Sequence, residues 1–192
     1  RGAPAIGLAA AFGLVLAARD LARNRSSDAF AAALEEAAAS LAAVRPTAVT
    51  LRFAVDRSLA AWRGATPAPA DAAEVLLDAA RSLEAYERGA CASIGRLGAE
   101  RLAEATRFIT HCNAGALVTS GLGTALAPIY VLHARGRRVH VWADETRPLL
   151  QGLRLTAYEL AKAGISHAVV GEGAAWTLFR QGRGDAPNTG AA

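Results

Sequence analysis

Methionine is absent from the 192 residues, and lysine occurs once, at Lys162. A native translation product starts with methionine and this chain starts with Arg1, so we read it as a piece missing its beginning. Cysteine is scarce as well. Cys91 and Cys112 are too few for a disulfide framework, and the expectation is a reduced, cytoplasmic protein with two free thiols. No CxxC pair exists, and His111, His133, His140 and His167 lack metal-ligand spacing, so neither a metal nor a cofactor is expected. Aromatic residues make up only 6% and no basic run is interleaved with them. That argues against a nucleic-acid groove despite the net charge of +4. The uncharged apolar stretch at 3–18 falls short of the ~20 residues of a membrane span, and the basic leader and cleavage site of a signal peptide are not evident in it. It reads as a core helix, with no membrane partner expected.

What is present is core-forming. The chain is 53% hydrophobic and 20% charged, enough to fold rather than stay disordered. The first hundred residues read as helix: 28–43 behind Ser27 or Asp28 as a cap, then a run with Pro46 in its first turn, then one long helix or two after the proline-rich link "TPAPAD". Near residue 105 the pattern changes. "RFITHC" (107–112), "RRVHVWAD" (137–144, with Val139, Val141 and Ala143 on one face) and "HAVVG" (167–171) read as strands. Helical stretches at 117–135 and 148–163 separate them. The alternation predicts an α/β chain: a helical N-terminal domain, 1–104, followed by the first half of a parallel sheet, 105–192.

Within this plan Cys112 stands out. It ends the first predicted strand, and ligands of open parallel sheets bind beyond the carboxyl ends of strands. Asn113 and Gly115 permit a tight turn, and the next helix would open toward the thiol, its amino end favouring an anion. Such a thiolate serves as general base or nucleophile. Burial as a small hydrophobe is the competing reading. His111 points to the other face of a regular strand, so it reads as a packed or hydrogen-bonded histidine, and Cys91 as structural. "GLGTAL" (121–126) lacks the third glycine of a dinucleotide loop and does not follow a strand directly.

Five blocks appear in order: "RGAPAIG" (1–7), "RPTAV" (45–49), "THCNAGAL" (110–117), "GTAL" (123–126) and "ADETRPLLQGLRLTAYEL" (143–160). Together they resemble the methylthioribose-1-phosphate isomerase family, which is related to ribose-1,5-bisphosphate isomerases and to regulatory subunits of the translation-initiation exchange factor. The resemblance implies a helical domain and a Rossmann-like domain, here truncated, a homodimer, and aldose–ketose isomerisation of a small-molecule sugar phosphate. It implies Cys112 as the catalytic thiol. It implies Arg1, Gly2 and Ala3 as a phosphate loop, Arg45 as a second phosphate ligand and Gln151 as a hydrogen-bond partner of the substrate. Asp144, Glu145 and Arg147 are expected to shape their loop and cap the next helix, with Pro148 in its first turn. The family's catalytic aspartate belongs to a later "GADR" block that this chain lacks, so the isolated chain is expected to be inactive. The altered "GEG" (171–173) leaves a related deoxypentose phosphate open as substrate, and a non-catalytic binding protein of the same fold is the alternative of another class.

Overall fold

The structure, a computed structural model, describes residues 2–187. Three helices come first: α1 (Ala3–Asn24), α2 (Ser27–Ala43) and α3 (Val49–Ala65). Their apolar residues recur at three- and four-residue intervals, which puts Leu14 and Ala18, Phe30, Leu34 and Ala38, and Leu51, Val55 and Leu59 into one buried core. Each fully buried leucine there contributes about 1.5–3 kcal/mol relative to exposure. Alanine and glycine let the helices approach closely: a Cβ on Gly7 would stand 2.7 Å from the Thr50 carbonyl oxygen. α1 runs past the stretch read from sequence, and residues 4–24 are long and apolar enough to cross a membrane by length and composition alone. One face of α1 is nevertheless spent on the core, with Ala11, Leu14 and Ala18 fully buried. Pro46 does not open α3. It lies in the turn before it, closed by the Ala48 N–H donating to the Arg45 carbonyl at 3.0 Å. At the surface Asp56 pairs with Arg52, an exposed i,i+4 contact worth at most about 1 kcal/mol.

A single helix, α4 (Ala72–Arg101), follows the proline-rich link. The chain divides into two compact units inside α4, after Glu87, rather than at residue 104. The physical reason lies in the last turns of α4. Gly95 and Gly98 have no side chains, and α5 (Ala127–Ala134) fills that space with Ala127, Val131 and Pro128. Those turns therefore belong with the sheet.

The second unit alternates β1 (Arg107–Thr110), α5, β2 (His140–Asp144), α6 (Ala157–Lys162), β3 (Ser166–Val170), α7 (Ala174–Arg180) and β4 (Ala186–Pro187). All strand pairs are parallel and the order is β3-β2-β1-β4. That is the order of the first four strands of the dinucleotide-binding sheet, with the topological switch between β1 and β4. The α/β reading holds, and Val139, Val141 and Ala143 are buried together as expected. Phe108, Val141, Leu126, Ile129, Leu132 and Leu160 join the sheet to its helices.

Two expectations change. α5 starts at Ala127, not 117, because Gly121 and Gly123 interrupt the segment, the latter at φ 96°, and Pro128 suits a first helical turn. The tail adds a fourth strand that the sequence pattern did not indicate. Pro187 can sit there because β4 is an edge. Asp185 fastens it: its carboxylate accepts from Thr106 N, Arg107 N and the Thr106 hydroxyl, and Arg107 Nη2 donates to it at 2.6 Å. The Arg107 guanidinium, then the Thr106 amide, hold the Asp185 carboxyl well below the usual carboxylate range. Folding therefore gains from this group above the unfolded carboxyl's 3.8 and loses the gain as pH falls below that value. The Asp185→Asn variant should melt below wild type at neutral pH, and the difference should shrink on acidification through that window; thermal melts across pH check this, and a pH-independent difference contradicts it.

Candidate active site

The carboxyl ends of β1 and β2 carry the unusual backbone of the molecule. Among the described residues four non-glycines have left-handed φ, and three lie here: Cys112 (62°), Thr146 (61°) and Leu150 (58°). Such a conformation costs about 1–3 kcal/mol per residue and persists only where neighbours enforce it. The enforcement is visible. The Cys112 N–H donates to Thr146 Oγ1 at 2.7 Å, and Thr156 Oγ1 donates to the Cys112 carbonyl at 2.6 Å. Thr146 Oγ1 in turn donates to the Asp144 carbonyl at 3.1 Å. Cys112 is thus gripped on both sides by threonines from the β2–α6 segment. It is half-buried and makes no disulfide.

The turn after Cys112 is held by a carboxylate. Glu159 of α6 is 7% exposed, yet it accepts from Ala116 N at 2.7 Å, Leu117 N at 3.2 Å, Asn113 Nδ2 at 2.9 Å and the Tyr130 hydroxyl at 3.0 Å. Gly115 sits beneath that carboxylate, where any Cβ would overlap it. Burial first, then the charge of Glu159 and the hydrogen bond to it, push the Tyr130 phenol far above its ordinary range. The expectation that a helix opens behind Cys112 is corrected here. Only a single 3-10 turn, Ala116–Val118, follows, and its amide groups at 116 and 117 are spent on Glu159.

His111 lies next to Cys112 and, as expected, is a hydrogen-bonded histidine: Nδ1 meets Asp144 Oδ2 at 2.6 Å. Asp144 and Glu145 shape their loop, the latter accepting from Glu172 N at 3.4 Å and standing 3.5 Å from Arg147. They cap no helix. Pro148 follows a cis bond in the turn ahead of the helix and not in its first turn. The helical segment opens at Gln151, runs through a π-helical turn, Gly152–Thr156, and continues into α6. Gly152 is required, since a Cβ would overlap the Asp144 carbonyl.

Of the residues singled out from sequence, Cys112 and Gln151 lie in this second unit, at the ends of segments that follow β1 and β2. The Gln151 amide oxygen is buried without a hydrogen-bond partner, as are Asn113 Oδ1 and Thr110 Oγ1. Three unsatisfied polar atoms near one sheet edge are what a polar ligand would answer. Ala3 begins α1 and Arg45 occupies the α2–α3 turn, both in the first unit; Gly2 precedes α1, and Arg1 lies outside the described residues. Sequence reading missed Glu159, Thr146 and Thr156. The only available signal was a glutamate among apolar neighbours in "TAYELA". Histidine spacing along the chain also could not show that His111, Asp144 and Glu172 bring ligand atoms within 4.8 Å of one another. A divalent ion would fit that donor set by type, but His111 and Asp144 already bond each other.

Glu159→Gln should lower stability by about 2–3 kcal/mol, since a neutral amide cannot serve four donors. It should also bring the Tyr130 phenol's ionisation down, though not to the free phenol's 10.0, because burial remains. Denaturant melts and spectrophotometric tyrosine titration check both, and an unmoved titration contradicts the pairing.

The model of the Initiation factor 2 subunit family matches residues 1–182. A methylthioribose-1-phosphate isomerase of Syntrophotalea carbinolica is 47% identical over 192 residues, all of this chain and 56% of that protein. A 5-deoxyribose 1-phosphate isomerase of Moorella thermoacetica is 49% identical over 184 residues, 95% of this chain and 52% of that protein. The crystal structure of 5-methylthioribose 1-phosphate isomerase from Pyrococcus horikoshii superposes with a TM-score of 0.88 at 36% identity, over 100% of this chain and 53% of that one. Subunit delta of translation initiation factor eIF-2B from A. fulgidus gives 0.83 at 36% identity, over 100% and 56%. The chain spans about half the length of these relatives. With matches of this extent, the chain belongs to the Initiation factor 2 subunit family.

Proposed function

We propose that this chain carries the thiol of a sugar-phosphate aldose–ketose isomerase acting on 5-methylthioribose 1-phosphate. The observation that carries the reading is Cys112 itself. It is a non-glycine held in a left-handed conformation by two threonines, beside buried polar atoms left without partners, at the ligand-binding edge of a parallel sheet. Whole-chain identity of 47% to a methylthioribose-1-phosphate isomerase supports it.

In this reading the bond from carbon 1 to the ring oxygen breaks, the oxygen keeping the bonding pair and taking a proton from a general acid, which the resemblance assigns to the later aspartate, so that the sugar opens with carbon 1 electron-poor. Cys112, as thiolate, takes the proton from carbon 2, and the freed pair forms the carbon 1–carbon 2 double bond. The carbon 2 hydroxyl then returns a proton to that carboxylate as the ketone forms, and the thiol gives its proton to carbon 1. Gln151 would hold a sugar hydroxyl through its unpartnered amide oxygen. On the family resemblance, Arg1, Gly2, Ala3 and Arg45 would hold the phosphate. The start of α1 at Ala3 supports this, since the first turn of a helix offers free N–H groups to an anion. We extend the reading to a cytoplasmic homodimer, on the same resemblance and the two unpaired thiols.

A second reading, 5-deoxyribose 1-phosphate as the preferred substrate, is favoured by the 49% identical Moorella relative. A binding protein without chemistry is favoured by the fold shared with the eIF-2B subunit. The complete protein carrying this chain should turn over 5-methylthioribose 1-phosphate, and Cys112→Ser should lower kcat by at least ~100-fold with KM little changed. Higher kcat/KM for 5-deoxyribose 1-phosphate selects the second substrate. Wild-type turnover in the variant removes the thiol from the mechanism, and no turnover of either sugar selects the binding protein.

A further inference from the structure

The opposite edge of the sheet holds a second concavity. The amino ends of β1 and β2 and the loops before β2 and β3 enclose a groove of about 570 Å³. Arg107, Arg137, Arg138, His133 and His140 line it, and no carboxylate does. Arg107 is engaged by Asp185 at 2.6 Å, but among the described residues neither Arg137 nor Arg138 makes an ion pair. A cation near each helix carboxyl end would answer the macrodipole; Arg137 and Arg138 with His133 and His140 around one groove exceed that need.

The groove is built on fixed backbone. α5 ends with Gly136 at φ 80°, its N–H donating to the His133 carbonyl at 2.9 Å and the Arg137 N–H to the Leu132 carbonyl at 3.1 Å. α6 ends the same way through Gly164 at φ 68°, with the Ile165 N–H on the Leu160 carbonyl at 2.9 Å. These two turns set the walls. His140 closes part of the wall, its Nδ1 held by Ser166 Oγ at 2.8 Å. Burial first, then His167 and Arg183, hold its pKa down, so the field around it is positive.

We propose that this groove binds a phosphate dianion of a phosphorylated small molecule, at a site separate from the Cys112 edge. Arg137 and Arg138 supply charge-assisted hydrogen bonds.

Titration of the isotope-labelled chain with inorganic phosphate, followed by amide and arginine side-chain NMR, tests the proposal. Saturable shifts are expected at 133–140 and 164–166, weakened about tenfold in the double variant Arg137→Gln/Arg138→Gln and retained in Arg138→Lys. Both arginines lie outside the buried core, so circular dichroism of the double variant should match wild type. Shifts that never saturate, an unchanged affinity in the double variant, or saturable shifts confined to 112–119 and 144–152 would each overturn it.

Discussion

One buried carboxylate organises the sheet edge on which the functional reading rests. Glu159 reaches from α6 to the turn after β1 and receives two backbone amides, a side-chain amide and a phenol. A charge this enclosed is tolerated because each of its oxygens is answered, and removing any answer would expose an expensive ion. The block "THCNAGAL" and the block "LRLTAYEL" are therefore two halves of one device. Gly115 is small because Glu159 needs the space, and Asn113 is amide-bearing because it faces both Glu159 and Thr156.

The threonines complete the constraint. Thr146 and Thr156 hold the Cys112 amide and carbonyl, so the backbone cannot relax to an extended form. The strand ends at Thr110 for this reason, two residues before the pattern in the sequence suggests. Regular alternation of faces also stops there, which brings His111 to Asp144 rather than leaving it buried. Cys112 is consequently positioned by hydrogen bonds to its own peptide groups, not by the mouth of a helix.

How much of this was legible in sequence follows from the range of the forces involved. Strands and helices with local periodicity were readable: Val139, Val141 and Ala143 alternate, and Phe30, Leu34 and Ala38 repeat every four residues. Long-range pairings were not. Apolar "ALVTSGLGTALAP" reads as a helix until the glycines at 121 and 123 are allowed their turn, and Asp185 gives no sign locally that it will fasten the tail beside β1. Glu159 in a short helix reads as solvent-facing, because only the fold supplies the four donors around it. The thiol and Gln151 were legible through a resemblance, whereas the side chains that hold Cys112 in place needed the structure.

The central claim is that the Cys112 sulfur stands where a sugar phosphate is held. A crystal structure of the complete protein with 5-methylthioribulose 1-phosphate bound addresses it directly. Carbons 1 and 2 should lie within about 3.5 Å of the sulfur, with the Gln151 amide on a sugar oxygen. A ligand seated away from the β1 carboxyl end, with the sulfur enclosed by hydrocarbon, would contradict it.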